Sequence, residues 1–371
     1  MADTLSCQWE TLHSQQLRSI KKSIDSDHGI YRYCEGRGRF EMKLPRRQFL
    51  HLAAGAATLP AVSHIAWAQS YPSRPLTMVV TFPAGSGSDI LARILGPSLS
   101  EFVGQQVIIE NVGGAGGITA ASRVARAAPD GYQFVLGGTD TFAQSQTLYK
   151  TPPYNAITDF APVALIVEQP FLLVTRNDLP ASNLPEFIAY AKANQSKMQF
   201  GSAGPASGSY LTCTYLNSAI GVTVTPVPYR GAPQGLQDLM AGRIDYYCPI
   251  TAAAIAHIEN KTMKAIAILS RDRSPMLPTL ASAHEQGLVD FEANYWNGLF
   301  LPKGTPEAIV QKLHDAVVAT IDSPTVQARL KEIGVTVVAR ERRSRDYLQK
   351  FVASEIAKWA GPIKISGVSL D

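Results

Sequence analysis

Leu76-Thr77-Met78-Val79-Val80-Thr81-Phe82 runs into Pro83-Ala84-Gly85-Ser86-Gly87-Ser88-Asp89, and an apolar-periodic segment opens at Ile90. The first seven residues have the composition of a buried strand, whereas Leu91, Ile94 and Leu95 share one face of a helix predicted to reach Phe102. Between them lies a loop almost without side chains. Ser86 and Asp89 have capping-box spacing, so the helix has a strong start signal. Its first N–H groups lack intrahelical partners and sit at the positive end of the dipole, and the glycines let backbone approach a ligand closely. Such a loop suits a small anion.

Working outward, strand-like runs alternate with helix-like ones, the pattern of an α/β protein with mainly parallel sheets. Strands are expected at 76–82, 106–110 and 134–137, with helices at 90–102 and 118–127 between them. The long apolar stretch 160–175 holds two strand-like halves around Glu168-Gln169-Pro170 and reads as a crossing between domains. A second alternation follows, with helices at 184–193, 210–220 and 232–241 and strands at 199–201, 222–227, 244–248 and 265–269. Residues 296–301 read as the return crossing, and helices at 306–321, 324–333 and 345–360 are expected to pack back on the first domain. The expected domains are therefore 69–171 with 298–371, and 172–297.

The first 68 residues stand apart from this pattern. Pro45-Arg46-Arg47-Gln48-Phe49-Leu50 is a paired-arginine region, 52–62 is modestly apolar, and Ala66-Trp67-Ala68 fits a small-residue cleavage site. Residues 42–68 thus read as a twin-arginine-type signal peptide, and the apolar run, interrupted by Pro60 and His64, is too short for a membrane span. Residues 1–41 resemble no targeting segment, so Met42 is the expected true start, with 1–41 a non-native or disordered extension. The expected location is the periplasm. Nine of the 34 Lys/Arg and six of the 30 Asp/Glu lie in residues 1–68, which leaves 25 and 24 beyond them. The exported part is nearly neutral and offers no nucleic-acid patch. Arg340, Arg342, Arg343 and Arg345, interspersed with acids, read as a solvated turn. Two of the four cysteines, Cys213 and Cys248, lie in the exported part. They can bridge, or they can be two buried thiols in separate elements; a single pair makes no disulfide framework, and the second reading is preferred.

Three more loops share the character of the first. Gly137-Gly138-Thr139-Asp140-Thr141, Gly201-Ser202-Ala203-Gly204-Pro205-Ala206-Ser207-Gly208-Ser209 and Pro228-Tyr229-Arg230-Gly231 all stand where a strand gives way to a helix. That is the ligand-binding edge of an open α/β sheet. Two such loops in each domain point to a cleft. Aromatic residues gather beside them, among them Phe82, Phe142, Tyr229, Tyr247 and Tyr295. The dinucleotide fingerprint fails because Ile90 occupies its third glycine position, and no Walker-type loop occurs. There is no Gly-x-Ser-x-Gly elbow, His-Glu-x-x-His or Cys-x-x-Cys, and His257, His284 and His314 stand alone. Neither enzymatic activity, a cofactor nor a metal is expected. Asp89 is explained as a cap, and Asp245 reads equally as a cleft residue or as an ion-pair or turn residue.

These segments, in this order, resemble the solute-binding proteins of tripartite tricarboxylate transporters, the Bug receptor family. The likeness rests on Tyr71-Pro72-Ser73-Arg74-Pro75, Phe82-Pro83-Ala84-Gly85 with Asp89, Ile109-Glu110-Asn111 before Gly113-Gly114-Ala115-Gly116-Gly117, and Ala128-Pro129-Asp130-Gly131-Tyr132. It extends through Asp159-Phe160-Ala161-Pro162-Val163, Val227-Pro228-Tyr229-Arg230-Gly231, the segment 242–245, Gly298-Leu299-Phe300 and Gly304-Thr305-Pro306. The resemblance implies a two-domain Venus-flytrap protein that binds a small organic carboxylate between its domains and delivers it to a membrane permease. It implies that the loop from Ala84 through Gly85, Ser86, Gly87 and Ser88 to Asp89 holds the carboxylate, partly through ordered waters. Thr139, Thr141 and Phe142, with Ser202, Gly204, Ser207 and Gly208, complete the pocket. Phe82, Tyr229 and Asp245 join them as candidate ligand contacts. The chain departs from the family pattern at Ser86 and Ser88, where glycines and a Thr are common, and at Tyr247-Cys248-Pro249. A monomer is expected. A sensor signalling to a membrane kinase is the alternative, and an enzyme acting on a carboxylate the remoter one.

Overall fold

The computed structural model describes residues 71–370. The expected extension 1–41 and export segment 42–68 lie outside the described residues. The chain builds two α/β lobes, each around its own mixed sheet.

In the first lobe, β1 (Leu76–Val80) pairs in parallel with β2 (Val107–Asn111) and β3 (Gln133–Gly138). Leu76, Met78 and Val80 join one apolar cluster and Val79 another, so the strand is buried on both faces and only Thr77 interrupts its apolar run. β4 (Phe160–Pro170) and β10 (Asn294–Pro302) lie antiparallel to one another along their whole length, β10 also bordering β3, and β11 (Thr336–Val337) closes the edge. One face is covered by α1 (Gly87–Val103), which also carries Leu91 and Leu95 into the core. The other carries α2 (Ile118–Ala125) and a single π-helical turn, Asp140–Gln144, that leads into the short α3 (Ser145–Leu148).

The second lobe is built on β5 (Leu172–Thr175), reached from β4 through the single residue Phe171. α4 (Leu184–Asn194) leads to β6 (Gln199–Ser202), and α5 (Gly208–Ile220) leads to β7 (Thr225–Pro228). α6 (Ala232–Met240), β8 (Tyr246–Tyr247), α7 (Thr251–Glu259) and β9 (Lys264–Ile268) complete it, in strand order β7-β6-β8-β5-β9. Where the chain crosses back, the Phe171 N–H donates to Ala293 O at 3.1 Å and the Ala293 N–H to Leu269 O at 2.8 Å. The two crossing segments therefore run side by side. α8 (Glu307–Asp322) and α9 (Pro324–Glu332) return to the first lobe, and α10 (Arg345–Ser366) packs on β4, on the π-turn and on α5 of the second lobe.

Three expectations are corrected, and one helix, α7, is added. The sheets are mixed rather than mainly parallel, with four parallel and five antiparallel strand pairs. The outgoing and returning crossings lie together, and adjacent segments that traverse a molecule in opposite senses pair antiparallel. α7 went unread because its apolar side is mostly alanine and no side chain caps it. The arginine cluster is not a solvated turn. Arg342 grips Glu168 with two hydrogen bonds of 2.6 Å, and buried Arg343 donates to Val338 O and to Asp322; Arg345 pairs with Glu307. Glu168 comes from β4 and Asp322 and Glu307 from α8, at least 21 residues away in sequence, while Val338 lies just after β11. Finally, Cys213 of α5 and Cys248 after β8 form a disulfide, their Cα atoms 5.6 Å apart, which replaces the two-thiol reading. The bridge exists because the helix and the strand end it joins pack side by side, a neighbourhood that cysteine spacing does not disclose.

Candidate functional site

Ser86 takes an extended conformation and its Oγ accepts the Asp89 N–H at 3.3 Å, so α1 starts at Gly87 as capped helices do. The reciprocal arm is shifted by one residue: Asp89 Oδ2 accepts the Gly85 N–H, at 2.9 Å, and Arg93 Nε donates to the same oxygen at 2.9 Å. Gly85 bends at φ +79°, which suits glycine. Burial opposes ionisation of Asp89, but the bonds from Arg93, the Gly85 amide and Asn111 outweigh it and hold the carboxyl below its ordinary range. Asp89 is thus an ionised brace of the loop.

The second lobe repeats this construction. Ser86-Gly87-Ser88 has its counterpart in Ser207-Gly208-Ser209, where Ser207 Oγ accepts the Tyr210 N–H at 3.3 Å and donates to Gly204 O at 2.7 Å. Ser209 Oγ accepts the Ala203 N–H at 3.0 Å and lies 3.0 Å from Ser207 Oγ and 3.4 Å from Tyr247 Oη. Two serine-capped helix N-termini therefore face one cavity of about 400 Å³, its mouth included. From the first lobe the wall is Phe82, Ser86, Gly87, Ser88, Asp140 and Tyr295; from the second come Ser207, Gly208, Ser209, Tyr247 and Ile250, with Phe171 between the lobes. Around this cavity the glycine backbone of each lobe lies close against a side chain of the other. A Cβ on Gly231 would lie 2.9 Å from Pro83, and one on Gly87 2.5 Å from Ile250.

Of the residues singled out in the sequence, Phe82, Ser86, Gly87, Ser88, Ser207 and Gly208 meet at the cavity. Ala84, Gly85, Asp89 and Gly204 shape its two loops from behind the wall. Thr139 Oγ1 accepts the Trp296 N–H at 3.0 Å, Thr141 Oγ1 accepts the Gly138 N–H at 3.0 Å, and the Phe142 ring stacks on Phe300 in the core. Ser202 Oγ is buried without a partner among the described residues. Tyr229 and Asp245 stand outside the wall. Tyr229 donates to Asp238 at 2.8 Å, whereas Asp245 accepts from Arg176 at 3.1 Å and from the Gln199 N–H at 2.7 Å. For Asp245 the ion-pair alternative is the one realised, at the point where the chain enters β8.

Sequence reasoning missed Asp140 as a wall residue, although it stands inside a quoted loop. Its carboxyl is 2 % exposed; Oδ1 accepts the Thr141 N–H at 2.8 Å and the Tyr295 hydroxyl at 3.2 Å. Burial pushes its pKa up to about 7 against the pull of those donors and of the Gly208 amide at the start of α5. No sequence signal marks a carboxyl as buried. Phe171 and Ile250 were missed because an apolar residue at a cavity wall reads in sequence like any core residue, while Tyr247 and Tyr295 could be counted as aromatics near the loops but not assigned to a wall.

Two α/β lobes joined by crossing strands, with helix N-termini converging on a cavity between them, define a solute-binding receptor. The chain matches the pattern of the Tripartite tricarboxylate transporter family receptor over residues 91–368, and it belongs to that family. Among solved structures, the periplasmic binding protein BugD is similar, with 37% identity and a TM-score of 0.78, covering 81% of this chain and 99% of BugD. MatC from Rhodopseudomonas palustris with bound malate has 37% identity and a TM-score of 0.77, covering 79% of this chain and 100% of that one. R. palustris Rpa4515 with adipate has 32% identity and a TM-score of 0.77, covering 81% and 99%.

Proposed function

We propose that this protein is an exported, non-catalytic receptor that captures a small organic carboxylate between its lobes and delivers it to a tripartite tricarboxylate-type membrane permease. The observation that carries the reading is the pair of Ser-Gly-Ser helix N-termini facing one cavity whose wall, among the described residues, contains no Lys, Arg or His. Amides and hydroxyls at a helix N-terminus attract a carboxylate without a side-chain cation. Phe82, Phe171, Tyr247 and Tyr295 then surround its apolar part. The relatives solved with malate and with adipate support the same ligand class. Ser86, Gly87, Ser88, Ser207 and Gly208 are the proposed direct contacts, and Thr139, Thr141 and Phe142 hold the wall behind them.

In this reading the lobes, 69–171 with 298–371 and 172–297, close about the crossing strands, and the closed form is favoured by contacts that only it makes. Export by the twin-arginine route to the periplasm, and action as a monomer, complete the proposal. A thermal-shift panel of mono-, di- and tricarboxylates tests it. A ligand at a hundred times its dissociation constant adds about 2.7 kcal/mol of stability, and a panel with no shift at all rejects the ligand class. Loss of carboxylate uptake in a deletion strain tests delivery to a permease.

A further inference from the structure

We propose that Asp140 selects the charge state the cleft accepts: a bound organic anion shares the cavity with this carboxyl only when Asp140 carries a proton, so each carboxylate is captured together with one proton. The inference rests on the carboxylate reading above and deepens it. Asp140 is 2 % exposed, lines the same cavity as Ser86, Ser88, Ser207 and Ser209, and lies against the Gly208 amide that opens α5. Its charge therefore competes for donors that a ligand carboxylate needs. On the next turn of the same segment, Gln144 has both amide atoms buried without a partner among the described residues, and its Oε1 lies 3.7 Å from where a Cβ on Gly208 would stand. Two polar side chains of the π-turn thus converge on one helix N-terminus.

Among the described residues, no side-chain cation lines the cavity to offset a second negative charge there. Tyr295 of β10 donates its hydroxyl to Asp140, Tyr154, which follows α3, donates its own to the Thr141 carbonyl beside it, and Tyr247 of β8 stands in the opposite wall. On α1, Asp89 is already held by Arg93; on α10, Glu355 accepts from Trp296 Nε1 and lies 3.8 Å from Lys358. Arg123 of α2 is paired with Glu110, and α5 carries no charged residue. An anion entering beside ionised Asp140 meets a like charge in a poorly hydrated space, which favours uptake of a proton from solvent onto the carboxyl. The raised affinity of Asp140 for its proton agrees with this geometry, since the protonated form is then accessible near neutral pH.

Titration calorimetry with malate, succinate and adipate at pH 6.5 and 8.5, in buffers of different ionisation enthalpy, tests the proposal. The tightest binder is expected to weaken about twentyfold between the two pH values, because the competent fraction of receptor falls by that factor. It is also expected to take up close to one proton per ligand at pH 8.5. Asp140→Asn should bind equally at both pH values with no linked proton. A change below threefold in the parent protein, or the parent's slope retained in the variant, overturns the proposal while leaving the carboxylate reading intact. Tightening with pH, as for a ligand whose ammonium pairs with ionised Asp140, overturns it too. No binding by either protein at either pH overturns the carboxylate reading itself. The parent's pH dependence and proton uptake decide the matter even where Asp140→Asn folds poorly.

Discussion

Gly116 of the first lobe meets the backbone carbonyl of Ala206 in the second so closely that a Cβ on Gly116 would overlap it. This contact lies between the glycine-rich turn before α2 and the loop that opens α5, so it reports directly on the approach of the lobes. The glycine also sits at φ +64°, in the region L side chains avoid.

Gly116→Ala is therefore expected to hold the lobes apart. Carboxylate affinity should fall at least tenfold, and stability by about 1 kcal/mol from the backbone strain. Gly104→Ala is the matched control: its φ is +80°, and nothing lies within 4 Å of the added carbon. That variant should lose similar stability and keep its affinity. Equal affinity in both variants, measured by calorimetry, counts against closure.

Ser86→Asp keeps a good N-cap for α1 but places a carboxylate in the cavity wall. The expected result is an unfolding transition close to that of the parent with the carboxylate-induced shift abolished. Should the shift persist, the α1 terminus is not where the anion sits.

The Cys213–Cys248 bridge closes a sequence separation of 35 and joins α5 to the strand end that leads into Pro249 and Ile250 of the cavity wall. Replacing both cysteines by serine should cost about 3–4 kcal/mol, read from urea unfolding. In the denatured, unreduced protein this pair should contribute no titratable thiol.

Asp140 binds its proton more tightly in the folded protein, near pH 7, than in the unfolded chain, where an aspartate titrates at about 3.9. The folded state thus holds the extra proton between these values, and the group's contribution to stability is full below the lower one and declines as pH rises through the upper. Asp140→Asn should accordingly gain stability relative to the parent at pH 8 compared with pH 4. Parallel stability curves for parent and variant over that range argue that Asp140 is not a buried acid.

Much of the architecture could be read locally. The strand–loop–helix order, the Ser86 and Asp89 cap and the serine-rich opening of α5 depend on residues within a few positions of one another, and the structure realises them within two or three residues. α7 escaped because Thr251–Glu259 has neither a side-chain cap nor a clean apolar stripe. The arginine cluster was misread because its acceptors, Glu168, Asp322 and Glu307, arrive from elsewhere in the chain.

The serine-capped anion loops of this receptor follow from local chemistry: a helix start leaves its amides free whatever surrounds it, and Ser-Gly-Ser exposes them. Which loops face each other is another matter. Bringing Gly208 and Gly87 to one cavity, burying Asp140 in its wall and setting Cys213 beside Cys248 each require contacts across dozens of residues or more. A charge's environment and a thiol's neighbour belong to the packed chain, because burial and proximity are properties of three-dimensional packing and have no spacing that a sequence can display.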